Sequence, residues 1–181
     1  GHEFAALEKY ADASELIAAV ADVDALIIRS DKVTAEVLDA AKQLKIVVRA
    51  GAGYDNVDLA AATAHNVVVM NTPGQNSNAV AELAIAMMIY MSRNQFTPAT
   101  GSEIQGKKVG IQAFGNVGRL VGKKAEALGM SVMTIDPFIP AEKIREAGAE
   151  PADSLEHMYA SCDFISVHIP ATPQTIGSIG Y

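Results

Sequence analysis

The stretch Lys107 to Pro137, KKVGIQAFGNVGRLVGKKAEALGMSVMTIDP, restricts the fold more than any other part of the chain. An apolar run from Val109 to Ala113 leads into Gly115 and Gly118. Apolar residues at helical period follow at Val117, Val121, Ala125 and Leu128, and a second apolar run ends at Asp136. Strand, glycine turn, helix, strand and acid is the order of a dinucleotide-binding unit. Gly115 lets backbone approach a pyrophosphate, Gly118 lets the helix lie close to the strand, and the N–H groups and dipole of the helix N-terminus favour phosphate there. Asp136 lies about 20 residues beyond the turn, where a carboxylate accepts hydrogen bonds from an adenosine ribose and repels a 2′-phosphate. The cofactor expected is therefore NAD and not NADP.

One position departs from the pattern. Where G-x-G-x-x-G has its first glycine, this chain has Ala113, giving A-F-G-N-V-G. Alanine is tolerated there at negative φ and is costly if the turn requires positive φ. A plain βαβ crossover with glycines at its turn is the simpler reading. The strand before, the helix after and the acid at the right distance favour the dinucleotide site.

With 181 residues, half of them apolar, the chain can bury a sizeable core as one ordinary domain or two small ones. Its net charge of −7, without a basic cluster, argues against nucleic acid and anionic membrane surfaces as partners. The longest apolar stretch, Ala79 to Met91, contains Glu82 and is too short to span a bilayer. The opening residues GHEFAALEKY do not read as a secretory signal, and a single cysteine, Cys162, fits a reducing compartment. The expected location is cytoplasmic.

Strands and helical patterns alternate throughout, as in a parallel sheet with helices on its faces. Strands are expected at Glu3 to Leu7, Ala25 to Arg29, Ile46 to Arg49, Val67 to Met70, Val109 to Ala113, Ser131 to Ile135 and Phe164 to Val167. Helices are expected at Ala13 to Ala21 behind Asp12, Thr34 to Leu44, Asp58 to Ala64, and Asn78 to Asn94 with Ser77 as cap. The near-continuous apolar face of the last points to burial between layers. Asn94 to Gly106, polar and interrupted by Pro98, Gly101 and Gly106, reads as a linker. The fold class is therefore α/β, with two parallel-sheet units. Residues 1–97 are flavodoxin-like, and residues 98–181 are the βαβαβ half of a Rossmann-like, doubly wound NAD-binding sheet.

Three strands of the first unit end in residues suited to an anion. Ala25 to Arg29 runs into Arg29, Ser30 and Lys32; Ile46 to Arg49 runs into Gly51, Ala52 and Gly53; Val67 to Met70 runs into Asn71 to Ser77. Carboxyl ends of parallel strands are where open α/β sheets bind ligands, so these turns should share one crevice. Guanidinium, hydroxyl and glycine-exposed N–H groups suit carboxylate or phosphate. Taken singly, each has a structural explanation: Arg29 solvating a strand end, Gly51 and Gly53 making a turn, Asn76 capping a helix. Three on one sheet edge favour a ligand site.

Arg29-Ser30 with Lys32, the stretch Arg49 to Asp58, Asn71-Thr72-Pro73 followed by Asn76-Ser77 and Val80-Ala81-Glu82, and Cys162 to Pro173 together resemble the D-isomer-specific 2-hydroxyacid dehydrogenases. The resemblance covers nearly the whole chain. It implies NAD-dependent oxidation of a small anionic substrate, a phosphorylated hydroxy acid. Arg29, Ser30, Lys32 and Asn76 would contact that substrate, with Gly51 offering backbone N–H. Ala52 stands where the family often has threonine beside the nicotinamide. Asn116 and Val117 occupy pyrophosphate-turn positions that are often Arg-Ile, so one cationic phosphate contact is missing. Gly115, Gly118, Asp136 and Pro137 would complete the cofactor turn, and His168, Ile169 and Pro170 would line the adenine or nicotinamide side.

The same resemblance places the family's catalytic arginine, glutamate and histidine after the third cofactor-domain strand, in segments beyond Tyr181. No catalytic residue is therefore expected within this sequence, and no metal site. His168 reads as packing or cofactor-lining, because acid–base work needs an orienting partner that the sequence does not offer. Family members also begin with a strand and helix ahead of the equivalent of Gly1, and in a 2-1-3-4-5 sheet that strand is central. A shortened chain with open strand edges, prone to pair with another chain, is the expectation, with a homodimer through the cofactor domain in the complete enzyme. Two other readings fit less well: a reductase of unphosphorylated 2-oxo acids such as glyoxylate or hydroxypyruvate, and a non-catalytic NAD-binding module.

Overall fold

The computed structural model describes residues 1–180. The chain divides into two compact units, Gly1–Gln75 and a second beginning at Asn76.

In the first unit, α1 (Ala13–Ala19), β1 (Ala25–Ile28), α2 (Ala35–Ala40), β2 (Ile46–Arg49), α3 (Leu59–Ala64) and β3 (Val68–Met70) alternate, and the strands form a parallel sheet in the order β1-β2-β3. Each helix starts on a side chain that accepts an orphan N–H. Asp12 accepts from Ser14 at 2.8 Å and forms a capping box with Glu15; Thr34 accepts from Val37; Asp58 accepts from Ala61 at 2.9 Å. Val20, Val33, Val37, Leu38, Val47 and Ala62 fill the core beneath them.

Glu3 to Leu7, expected as a strand, is irregular, and Phe4 is 87% exposed. The sheet of this unit is formed by β1, β2 and β3, and Glu3 to Leu7 pairs with none of them. Without a ladder, an apolar run alone does not make a strand.

The second unit contains α4 (Ser77–Ser92), a short 3₁₀ turn (Asn94–Phe96), β4 (Lys108–Gln112), α5 (Asn116–Ala127), β5 (Ser131–Ile135), α6 (Ala141–Glu146), β6 (Glu150–Pro151), α7 (Leu155–Ser161) and β7 (Phe164–Val167). All four strands are parallel, in the order β6-β5-β4-β7. The patterns of α6, β6 and α7 are too short to register in the sequence, which leads to the expectation that Phe164–Val167 is the third strand of the sheet; it is the fourth, and it pairs on the opposite side of β4 from β5. The order 3-2-1-4 carries the sheet past the point where its winding reverses, and that crevice lies between β4 and β7.

The expected boundary near residue 97 does not coincide with the packing. Ala81, Ile85 and Met88 of α4 lie in one buried cluster with Val109, Ile111, Phe114, Val121 and Ala125, so α4 belongs to the second unit although it precedes the polar linker. Only that stripe of α4 is covered; Leu83, Met87 and Met91 are each more than half exposed, at 61%, 58% and 58%. Its start also differs from expectation, since Asn76 and not Ser77 occupies the cap position, and Ser77 is buried in the first turn. Among the described residues no helix is long and apolar enough to cross a membrane.

Candidate functional site

β4 ends at Gln112, and the chain turns through Ala113, Phe114 and Gly115 into α5. Gly118 has to be glycine. A Cβ there would lie 2.2 Å from the Ala113 carbonyl oxygen, because the helix is pressed against the turn. Gly115 is the opposite case: a Cβ built on it meets nothing within 4 Å, so the space over its Cα is open. α5 carries no side-chain cap and no acid in its first turn. Its leading N–H groups face that space without a protein acceptor, which is the arrangement that suits a phosphate.

Asp136 follows β5 and reaches back to this turn. Its Oδ2 accepts from the Phe114 N–H at 2.8 Å and its Oδ1 from the Phe138 N–H at 2.9 Å. Each oxygen keeps a lone pair for a further donor. Pro137 is exposed beside it, and so is the Phe138 ring at 92%. Asn116 is exposed and Val117 partly buried at the first positions of α5.

At the neighbouring strand end, His168 donates its backbone N–H to Gln112 O at 2.9 Å, so β7 delivers His168, Ile169 and Pro170 to the same sheet edge as the glycine turn. The imidazole is half-buried, its Nε2 lies 2.9 Å from Ser166 Oγ, and burial pushes its pKa below the ordinary value. No carboxylate orients it, which fits a lining role better than proton transfer. His157 meets Asp153 at 3.7 Å, and in the first unit His65 meets Asp39 at 2.9 Å.

In the first unit, two of the expected turns are laced together. Val33 N–H donates to Asn56 O at 2.8 Å, Asp58 N–H donates to Val33 O at 2.9 Å, and Asn56 Nδ2 donates to Asp31 O at 2.7 Å. Arg29, Ser30 and Lys32 stand exposed on this lacing. Tyr10 fixes its flank by donating its hydroxyl to Asp31 at 2.9 Å, and that bond raises the phenol's pKa. The third turn joins through Thr72 N–H to Gly51 O at 2.9 Å and Asn71 Nδ2 to Ala52 O at 2.7 Å.

Gly51 corrects one expectation. Its N–H is already donated to the Arg49 carbonyl at 2.8 Å, so it offers no donor to a ligand; no described residue accepts the N–H groups of Ala52 and Gly53, which are the free ones. The Arg49 guanidinium lies directly over the Gly51 Cα, so a side chain at this position would have to displace it. Arg49 Nε is buried without a partner. Arg49 is thus a third cation of the strand ends, after Arg29 and Lys32; it is not among the expected substrate contacts, although it stands at a strand end before a glycine turn. Asn76 belongs to the second unit, exposed at the head of α4 with a side chain that makes no capping bond. No group of three His, Cys, Asp or Glu residues that could hold a metal occurs among the described residues.

Residues 2–170 match the D-isomer specific 2-hydroxyacid dehydrogenase catalytic domain. The chain belongs to that family. It is 42% identical over 182 aligned positions to D-3-phosphoglycerate dehydrogenase of Mycobacterium bovis, which covers 93% of this chain and 34% of that protein. It is 43% identical over 178 positions to the enzyme of the same name from Rattus norvegicus, covering 90% of this chain and 33% of the relative. Among solved structures, cofactor (NAD+)-bound 3-phosphoglycerate dehydrogenase of Entamoeba histolytica aligns with a TM-score of 0.88 and 43% identity, over 97% of this chain and 56% of that one. The chain thus spans about a third of the length of the curated relatives it matches.

Proposed function

We propose that this chain binds NAD in its second unit and a phosphorylated D-2-hydroxy acid in its first, serving the NAD-dependent oxidation of D-3-phosphoglycerate to 3-phosphohydroxypyruvate, a step that feeds serine formation. The observation that carries the cofactor assignment is the turn itself. Open space over Gly115, an uncapped α5 and the Asp136 carboxylate meet at one corner. Bound NAD supplies the hydride acceptor. The amides of α5 hold its pyrophosphate, Asp136 takes the adenosine ribose, and His168, Ile169 and Pro170 line the adjoining strand end. Arg29, Ser30 and Lys32, with Arg49 and the free amides of Ala52 and Gly53, present positive potential and donors to a phosphate or carboxylate. No residue of this chain is assigned the proton transfer. A cytoplasmic, dimeric enzyme is the expected setting.

Titration with NADH and NADPH tests the cofactor assignment. NADH should bind at least about tenfold more tightly than NADPH, because the Asp136 charge opposes a 2′-phosphate. Asp136→Asn keeps an acceptor for the turn but loses the charge, so it should narrow that preference; equal affinity of the unaltered chain for both nucleotides would remove the reason for naming NAD. For the substrate, 3-phosphoglycerate should raise the thermal midpoint and Arg29→Ala should abolish the rise. Protection by glyoxylate or hydroxypyruvate, without protection by 3-phosphoglycerate, would move the assignment to an unphosphorylated acid.

A further inference from the structure

Ala113, which stands where the pattern has its first glycine, adopts φ +72°. An alanine is disfavoured in this left-handed region, so something must hold it there. Its N–H is committed to Ile135 O at 3.0 Å, and its carbonyl lies against Gly118. The next residue is gripped on three sides. Phe114 N–H is taken by Asp136, its ring is buried at 1%, and its carbonyl accepts from Arg119 Nε at 2.9 Å. The Arg119 guanidinium also lies over the Phe114 ring, 5.6 Å from its centroid. Phe114 cannot swing, so Ala113 absorbs the whole change of direction between β4 and α5.

We infer that Arg119 is a positioning residue for the cofactor turn: by clasping the Phe114 carbonyl it keeps Ala113 in the left-handed conformation, and thereby keeps Asp136 and the α5 amides at the spacing a dinucleotide requires. The inference rests on the dinucleotide reading of this turn but assigns Arg119 no contact with the cofactor. A chain with glycine at the first position would adopt the same turn unaided. The clasp compensates for its absence.

A double-mutant cycle separates this role from a direct phosphate contact. Arg119→Met keeps a good helix former at an exposed position and removes the donor. NADH affinity should fall about tenfold in that variant, the size of an alanine's left-handed penalty, and fall less than about threefold when Ala113→Gly is also present. Arg119→Lys keeps the charge without the fixed Nε–H and should behave like Arg119→Met. Rescue by lysine, an equal loss in both Ala113 and Ala113→Gly backgrounds, or no loss at all would overturn the inference. Hydrogen exchange of the Phe114 amide is read in parallel without cofactor. Arg119→Met should speed it about tenfold, and markedly less in the Ala113→Gly background; equal acceleration in both would sink the clasp. If the unaltered chain fails to bind NADH while exchange behaves as expected, the dinucleotide reading falls and the clasp stands.

Discussion

Gly115 and Gly118 lie one helical turn apart and answer opposite demands. The first leaves room for something outside the protein, and the second is forced by something inside it. Gly115→Ala, at φ −76° with nothing within 4 Å, should leave the melting temperature within about a degree, because its methyl enters open space. It should nonetheless weaken NADH by at least about tenfold, since that space is where the pyrophosphate must approach. Gly118→Ala should instead destabilise by about 2 kcal/mol or more, with its methyl driven into the Ala113 carbonyl. Calorimetry with and without nucleotide distinguishes the two; a fold lost in Gly115→Ala would mean the space is not free. The sequence made both glycines legible and posed the question of Ala113, but its φ depends on how Phe114 is held, and the holding groups are Asp136, just after β5, and Arg119 on α5.

Elements were legible where a run carried both its period and its stop signal. β2, β5 and β7 begin and end where the pattern places them, and Asp12 caps the helix it is expected to open, whereas Thr34 and Asp58, expected as the first helical residues, are the caps of theirs. The misses share one cause, which is that a strand or a buried face exists only with a partner. Glu3 to Leu7 is a short apolar run without a ladder, whereas Glu150–Pro151 has almost no pattern but pairs with β5. β7 carries a further consequence through His168. Burial favours its neutral form, so the unfolded chain takes up the proton more readily. The stability this contributes is whole above about pH 6.5 and is lost as pH falls through that value toward the lower pKa of the folded state. The thermal midpoint should therefore drop between pH 7.5 and pH 5.5, and His168→Asn should drop less; equal drops would place the imidazole in water.

At the scale of the molecule, each unit closes its own core, one built from residues such as Val47 and Leu38, the other around Ile111, Phe114 and Val121. Two calorimetric steps are expected. NADH at about a hundred times its dissociation constant should raise the step of the second unit by upwards of roughly 10 °C, and 3-phosphoglycerate should act on the other. A single transition moved as a whole by either ligand would mean that the units unfold together. The order of residues determined the class of fold, the glycine turn and its acid, and the cationic strand ends, because these follow from local period and from chemistry within a few residues. Tertiary structure alone decided that α4 packs with the unit after the linker, that Phe164–Val167 lies across β4 from β5, that the Gly51 amide is spent on Arg49, and that Ala113 is held at positive φ. Each of these depends on which distant surface meets the segment, and a sequence pattern reports only that a surface exists to be met.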